Sequence, residues 1–131
     1  MNALDNAKGW SVEFRVKVIE ATHFSKNNYY FNVAVAAGDE RGGVYMGLRT
    51  QSDKLDAVFN PQEPILSHTV ALDPAEFHVF RIARRPGDAR RFEVQIDDGN
   101  PVAVAAVGIP DGPTFSFGDL TLNPGVGHAI W

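Results

Sequence analysis

The fold of this chain is decided by an early stretch that reads Trp10-Ser11-Val12-Glu13-Phe14-Arg15-Val16-Lys17-Val18. Aromatic and β-branched side chains occupy every second position, and polar or charged side chains occupy the positions between them. Successive side chains of a β-strand point to opposite faces, so strict alternation is typical of a strand with one buried face. The stretch therefore predicts a half-buried β-strand rather than a helix.

The same pattern recurs along the chain, interrupted by turn-forming clusters of Gly, Pro, Asn and Asp. It predicts about nine or ten strands and no long helix, which is typical of a single all-β sandwich or barrel. The pair Asp98-Gly99 predicts a two-residue hairpin turn. The predicted strands are Trp10–Val18, Tyr29–Ala37, Val44–Thr50, Leu55–Asn60, Leu66–Leu72, Phe77–Arg84, Arg91–Asp97, Val102–Val107 and Thr114–Leu122.

Length and composition limit the class of protein. The chain has 131 residues, which suffices for one domain with a core of its own. Its 12 basic and 16 acidic residues give a formal net charge of −4, which argues against binding nucleic acid or an anionic membrane through bulk charge. The absence of cysteine excludes disulfides, thiolate metal sites and cysteine nucleophiles. No secretory signal or transmembrane span is visible in the sequence, so the cellular compartment stays undecided. If the chain is an excerpt of an exported protein, we expect it to be extracellular or periplasmic.

Three stretches carry a family resemblance. The first is a hairpin, Phe77–Arg84 followed by Phe92–Val102, which contains His-Val-Phe-Arg-Ile and then Val-Gln-Ile-Asp-Asp-Gly-Asn-Pro-Val. The second is Gly9–Val18, and the third is Phe115–Leu120 with its Phe-Gly-Asp sequence. Together they resemble strands of the concanavalin A-like, laminin G-like jelly rolls, over nearly the whole chain. The resemblance implies an all-β fold, a sandwich of two curved antiparallel sheets.

The sequence departs from this family after the Phe-Gly-Asp strand. Family members continue through a Gly-containing loop into one more strand, whereas Gly125–Trp131 reaches only the start of that strand. We therefore expect one sandwich domain, residues 1–131, that lacks a final strand. Its open edge would let two copies of the chain pair into a homo-oligomer.

The resemblance implies a non-catalytic, lectin-like domain that binds carbohydrate, as part of a larger polysaccharide-processing or surface protein. Two alternatives stay open, namely a divergent glycoside hydrolase and a structural or protein-interaction sandwich that binds no sugar. Retaining hydrolases hold two carboxyl groups about 5–5.5 Å apart. Glu93 and Asp97 share a strand face but lie about 13 Å apart, so they do not form such a pair.

A saccharide site needs planar side chains beside amide and charged groups. Seven residues of these types lie at polar-facing positions of the predicted strands, and we expect them to line one concave sheet face. No metal or other cofactor is required there, although loop carboxylates at Asp97–Asn100 and at Asp53 and Asp56 offer oxygen ligands for calcium. The seven residues are Tyr30, Asn32, Tyr45, Arg49, Arg81, Glu93 and Gln95.

The histidines give a weaker signal. The four histidines show no metal-ligand spacing. His78 alternates with Phe80 and Ile82, which predicts a buried sheet histidine rather than a ligand or a base. The sequence leaves the partner of His68 undecided.

Arginines are concentrated in one region, since five of the eight fall between Arg81 and Arg91. Arginine binds carboxylate or sulfate with two parallel hydrogen bonds, so a local anion site is one interpretation. Asp88 and Glu93 lie close in sequence, and we expect them to pair with these arginines instead.

Overall fold

The computed structural model describes residues 4–21, 33–51, 53–61, 67–88, 90–108, 114–118 and 127–131. Within these ranges the chain forms ten β-strands and no helix, so it has no helical segment there that could cross a membrane. The strands are β1 (Trp10–Ala21), β2 (Val33–Asp39), β3 (Gly42–Gln51), β4 (Lys54–Phe59), β5 (His68–Leu72), β6 (His78–Arg84), β7 (Arg91–Ile96), β8 (Val102–Ala105), β9 (Thr114–Gly118) and β10 (Gly127–Ile130).

The strands form two antiparallel sheets of five strands each. Sheet I has the strand order β10-β1-β6-β7-β8, and sheet II has the order β5-β4-β3-β2-β9. The two sheets share one apolar core, to which sheet I contributes Phe80 and Phe92 and sheet II contributes Met46 and Phe59. The prediction of an all-β sandwich of two antiparallel sheets is confirmed.

The alternation predicted for β1 is confirmed as well. Val16 and Val18 are buried in the core, whereas Glu13 is exposed on the outer face. The strand continues beyond its predicted end to Ala21. In this extension the pairing of β1 with β10 shifts register between Val18 and Glu20. Ala21, at the end of the strand, is again buried in the core.

Other strand boundaries agree with the sequence prediction to within about two residues. The predicted strand Tyr29–Ala37 is described from Val33 onward, and its first four residues lie outside the described part of the chain. The predicted strand Thr114–Leu122 is described only as far as Gly118. The segment Gly125–Trp131 contains β10, which pairs antiparallel with β1 at the edge of sheet I. Pairing of two copies through a sheet edge stays a prediction.

The predicted two-residue turn at Asp98-Gly99 is wrong. β7 ends at Ile96 and β8 begins at Val102, so residues 97–101 connect them. The backbone N–H of Gly99 donates to the carbonyl of Ile96 at 3.0 Å, which places Asp97 and Asp98 at the centre of the turn. Asp97 takes the left-handed conformation, with φ at 51°. An aspartate tolerates this conformation because its short polar side chain forms hydrogen bonds locally.

The outer faces of the two sheets differ in exposure. On the outer face of sheet II, Ala34, Tyr45 and Val58 are only 0%, 9% and 6% exposed and form a second apolar cluster. On the outer face of sheet I, the charged side chains of Glu13 and Arg81 are about half exposed, at 53% and 55%. Sheet I therefore offers an accessible polar face.

One charged pair is buried between the sheets. Arg84 of β6 donates from Nε to Oδ2 of Asp39 at 2.8 Å and from Nη2 to Oδ1 at 2.9 Å, and both side chains are 0% exposed. Trp10 donates from Nε1 to the same Oδ2 at 2.8 Å. Burial on its own would raise the pKa of Asp39, but hydrogen bonds from Arg84, Trp10 and the backbone N–H of Arg41 hold that pKa below its ordinary value. The carboxylate therefore stays charged and joins sheet II to sheet I.

Asn60 joins the sheets at a second point. It follows β4, is fully buried and has φ at 49°. Its Oδ1 accepts a hydrogen bond from the N–H of Tyr45 at 3.3 Å, and its own N–H donates to the carbonyl of Tyr45 at 2.7 Å. Its Nδ2 donates to the carbonyl of Ala105 in β8 at 2.8 Å. One side chain thus satisfies backbone groups of both sheets.

Replacing Asn60 with alanine is expected to lower the free energy of unfolding by about 2–4 kcal/mol. The variant leaves the N–H of Tyr45 and the carbonyl of Ala105 without these partners, and it places alanine at positive φ. Asn60→Gly accepts the positive φ but still lacks the amide, so it should lose less. Urea denaturation of both variants measures the two contributions, and a loss below about 1 kcal/mol for Asn60→Ala would contradict this role.

Candidate functional site

A polar depression lies on the outer face of sheet I. Its volume is about 380 Å³. Three neighbouring strands form its floor, because Glu13 of β1 pairs in register with Arg81 of β6, and Arg81 pairs with Gln95 of β7. Such a row places three polar side chains side by side, about 4.8 Å apart from strand to strand. The residues that line the depression are Glu13, Val79, Arg81, Gln95, Asp97 and Asp98.

Arg81 is oriented by Glu13 at the centre of the row. Its Nε and Nη2 both donate to Oε2 of Glu13, at 3.0 and 2.6 Å. This pair uses two of the five N–H donors of the guanidinium, which leaves three donors for water or a ligand. Gln95 donates from Nε2 to the carbonyl of Gly99 at 3.0 Å, which leaves its Oε1 as an acceptor. The floor therefore offers both donors and acceptors.

The turn after β7 forms one wall of the depression. Oδ1 of Asp97 accepts from the N–H of Val79 at 2.8 Å, and the N–H of Asp97 donates to the carbonyl of Val79 at 2.7 Å. These two hydrogen bonds fix the turn to the start of β6. The carboxylate of Asp98 has no hydrogen-bond or ion-pair partner within the described part of the chain. It is available to a ligand.

His78 supports this wall from inside the sandwich. The side chain is 6% exposed, as the sequence pattern predicts. Its Nδ1 lies 2.8 Å from Oδ2 of Asp97, and its Nε2 lies 2.7 Å from the carbonyl oxygen of Asp73. A carbonyl and a carboxylate only accept hydrogen bonds, so both contacts are satisfied when the imidazole carries protons on both nitrogens.

The pKa directions agree with a charged His78–Asp97 pair. Burial on its own lowers the pKa of His78, but the hydrogen bonds to Asp97 and to the Asp73 carbonyl raise it above its ordinary value. Burial raises the pKa of Asp97, but the hydrogen bonds from His78 and from the N–H of Val79 lower it below its ordinary value. His78 therefore acts as a positioning residue for the wall and does not itself face the depression.

Two of the loop carboxylates considered for calcium have other partners. Asp97 is held by His78 and Val79, and Asp56 pairs with Arg49 at 3.3 Å. Among the residues that the structure describes, no three His, Asp or Glu side chains converge as metal ligands. Calcium binding stays a prediction without a defined ligand set.

Three of the seven residues predicted for a saccharide site lie together on the outer face of sheet I. Arg81 and Gln95 line the polar depression. Glu93 lies on the same face of β7, two residues before Gln95. Its Oε1 accepts a hydrogen bond from Arg85. These three residues form the part of the prediction that the structure brings together.

Two of the other four residues, Tyr45 and Arg49, do not join them. Tyr45 and Arg49 lie on the outer face of sheet II, opposite in the sandwich, where Tyr45 is buried and Arg49 pairs with Asp56. Tyr30 and Asn32 lie outside the described residues. The single concave face that the sequence suggested is thus divided between two sheets. Strand alternation predicts which face of its own strand a residue occupies, but it does not predict which sheet that strand joins.

Sequence reasoning missed Glu13, Asp97 and Asp98 as site residues. Glu13 is in the polar register of β1, but its proximity to Arg81 depends on strands that are 68 residues apart in sequence. Asp97 and Asp98 were interpreted as part of a turn and as potential calcium ligands. The signal that points to them is the consecutive pair of carboxylates at the end of a strand.

The arginine-rich segment forms ion pairs, as predicted. Arg85 pairs with Glu93, and Arg91 pairs with Asp88 at 3.3 Å. Hydrogen bonds from the backbone and from Arg91 lower the pKa of Asp88. Arg84 belongs to the buried pair between the sheets, so the segment does not form one anion site.

Comparisons with known proteins do not assign this chain to a family or a function. No family model, no curated protein and no solved structure matches this chain. The fold and the site together define an all-β sandwich of two five-stranded antiparallel sheets with a ligand-sized polar depression on one outer face.

Proposed function

We propose that the protein is a non-catalytic carbohydrate-binding domain whose saccharide site is the polar depression of sheet I. The observation that carries this proposal is the in-register row Glu13–Arg81–Gln95 beside the unpartnered carboxylate of Asp98. Each hydroxyl group of a sugar both donates and accepts hydrogen bonds. A lining that mixes a guanidinium, an amide and carboxylates meets both requirements.

The volume and the character of the lining support a small polar ligand. About 380 Å³ lies within the range of ligand pockets, 300–1,000 Å³. Among the described residues that line the depression, Val79 alone has an apolar side chain, so an apolar ligand would gain little burial there. A monosaccharide or disaccharide unit of a longer chain suits such an open and polar surface.

The finer fold assignment belongs to the same proposal. We infer a concanavalin A-like jelly roll, in which the chain passes several times from one sheet to the other. The order of the strands supports it: β1 lies in sheet I, β2–β5 in sheet II, β6–β8 in sheet I, β9 in sheet II and β10 in sheet I. We propose on the same basis that the sandwich is one domain of a larger polysaccharide-processing or surface protein.

The arrangement of carboxylates favours binding over hydrolysis. Glu13 is held by two hydrogen bonds from Arg81, and Asp97 is held by His78 and Val79. The pKa of Asp97 is lowered, whereas a general acid in a glycosidase needs a raised pKa. These groups are therefore suited to accept hydrogen bonds from a sugar and not to transfer a proton to it.

The proposal is tested by affinity electrophoresis through gels that contain β-1,3-glucan, xylan, mannan or pectin. The wild-type protein should be retarded by at least one of these polysaccharides. Arg81→Ala and Gln95→Ala should each weaken binding to that polysaccharide by about tenfold or more, because each removes a hydrogen bond to the ligand. Isothermal titration with oligosaccharides of the same linkage then gives the dissociation constants.

Arg91→Ala is the matched control for Arg81→Ala. Both arginines are exposed, at 63% and 55%, and both form a surface ion pair that contributes at most about 1 kcal/mol to folding. Arg91 does not line the depression. Equal loss of binding in Arg81→Ala and Arg91→Ala would contradict this location of the site. No retardation by any polysaccharide, with no hits on a glycan array, would leave the protein-interaction function.

A further inference from the structure

An apolar cavity lies between the sheets where the edge strands β5 and β8 face each other. It encloses about 170 Å³. Its floor includes Phe59, Val94 and Val104, which are 1%, 2% and 3% exposed. Native cores pack like organic crystals and contain few voids larger than a water molecule. A cavity of this size that reaches the surface is therefore an unusual feature of the core.

The mouth of the cavity is polar. His68 and Asn100 line it, and both are exposed. His68 pairs in register with Phe59, whose side chain faces the core, so the imidazole lies on the core-facing side of β5. Within the described part of the chain, neither His68 nor Asn100 has a side-chain hydrogen-bond partner. Two exposed polar side chains that lack a protein partner among the described residues thus stand at the entrance of an apolar space.

We propose that this cavity binds one small, neutral aromatic alcohol, of which phenol is the simplest example. The ring packs against Phe59 and the valines of the floor, and the hydroxyl group hydrogen-bonds to His68 and Asn100 at the mouth. An apolar cavity of about 150 Å³ holds one benzene molecule, so 170 Å³ suits one substituted ring.

The chemistry of the mouth selects the substituent. A neutral imidazole and a carboxamide each offer a donor and an acceptor, which match the single donor and the lone pairs of a hydroxyl group. Asp98, two residues before Asn100 in the same turn, places a negative charge near the mouth and disfavours an anionic ligand. The cavity lies on the core side of sheet I, whereas the polar depression lies on its outer face. This site is therefore separate from the proposed saccharide site, although residues of the turn after β7 line both.

The test follows the methyl resonances of the cavity by NMR during titration with phenol, benzene and benzoate. Phenol should produce saturable shifts with a dissociation constant of about 1 mM or tighter. Benzene should bind more weakly than phenol, and benzoate most weakly of the three. The shifts should be confined to methyl groups that line the cavity, namely those of Val70, Val94, Ile96, Val102 and Val104. Shifts that stay linear with phenol concentration, or that spread over other valines, would overturn the proposal.

Variants separate the ring contacts from the polar contacts. His68→Ala and Asn100→Ala should each weaken phenol binding by about tenfold, the effect of one hydrogen bond, and leave benzene binding unchanged. Val102→Phe should abolish the binding of both probes, because Val102 is 42% exposed and a larger side chain there fills the mouth. Ile19→Phe, at a 47% exposed position of β1 outside the cavity, is the control.

These outcomes decide the proposal even if one variant is unstable. An unchanged affinity of Val102→Phe for phenol would overturn the proposal. So would a His68→Ala variant that loses affinity for phenol and for benzene by the same factor. His68 and Asn100 are exposed, so their alanine variants should fold. Thermal unfolding of each variant without ligand confirms that the fold is intact.

Discussion

Asp39→Asn is expected to lower the free energy of unfolding by about 3–5 kcal/mol. The substitution keeps the size of the side chain and removes its charge. Arg84 then remains fully buried between the sheets without a counter-ion. In addition, the amide nitrogen of asparagine would face N–H donors from Trp10 or Arg84, where a carboxylate oxygen now accepts. The effect is large because the pair has no access to water that could replace the lost contact.

The measurement is chemical denaturation of the variant and of a surface control. Glu13→Gln breaks the ion pair with Arg81, in which the side chains are 53% and 55% exposed, and should change stability by at most about 1 kcal/mol. A loss of similar size for Asp39→Asn and Glu13→Gln would mean that water reaches the inner pair.

A double variant distinguishes burial of the charge from loss of the contact. In Asp39→Leu/Arg84→Met, both charges are absent, so no buried charge is left uncompensated. The double variant should be more stable than Asp39→Leu alone, with a coupling energy of about 2 kcal/mol or more. It still leaves the Trp10 indole N–H and the carbonyl of Gly42 without their present partners, so full recovery is not expected.

The inner and outer faces of the strands could be predicted from the sequence, because alternation is a local property of the backbone. It assigned Val16, Val18 and His78 to the inside, and the structure agrees. The same alternation places Arg84 at an inward position, after Phe80 and Ile82. A charged residue in an inward register is a signal for a buried partner. The sequence interpretation grouped Arg84 with its neighbouring arginines instead and missed that signal.

Relations between distant strands could not be predicted from alternation. The pair Arg84–Asp39 joins residues 45 apart, and the pair Arg81–Glu13 joins residues 68 apart. Each depends on which strands become neighbours or face each other across the core. For the same reason the sequence predicts Tyr45 and Arg81 on one concave sheet face, although their strands belong to different sheets. The predicted site residues therefore lie together in the structure only where they come from consecutive strands.

The turn after β7 connects the two proposed sites. Asp97 and Asp98 line the polar depression, whereas Gly99 and Asn100 line the apolar cavity. His78 holds the first of these residues from inside the sandwich at 2.8 Å. The protonation state of His78 therefore affects a turn that shapes both surfaces.

The free energy of unfolding is expected to fall as the pH rises above about 6.5. The pKa of His78 is raised in the folded protein, so its contribution is fully present below the pKa of the unfolded state and is lost as the pH rises through the folded pKa. Between the unfolded and the folded pKa, the free energy of unfolding declines by at most about 1.4 kcal/mol per pH unit. Asp97 affects stability at acidic pH, because its pKa is lowered in the folded protein. Its contribution to the free energy of unfolding is fully present above the pKa of the unfolded state and is lost as the pH falls through the folded pKa.

Two variants test whether the His78–Asp97 pair causes this decline in the free energy of unfolding. Asp97→Asn keeps an oxygen that can accept the hydrogen bond of Val79 and tolerates the left-handed conformation at this position. It removes the negative charge beside His78, so it should flatten the decline in stability between pH 6.5 and higher pH. His68→Gln removes an exposed histidine that does not contact the pair, and it should leave the decline unchanged.

Titration of the His78 ring by NMR measures the folded pKa directly. A value above that of a free histidine, and a return toward it in Asp97→Asn, would establish the imidazolium–carboxylate pair. The groups that face the ring are Asp97, the carbonyl of Asp73 and the nearby Asp73 carboxylate, which all favour the protonated form. A value at or below that of a free histidine would mean that burial outweighs these contacts. The imidazole would then be neutral, and one of its two short contacts would have to lengthen, since a neutral ring has one N–H donor.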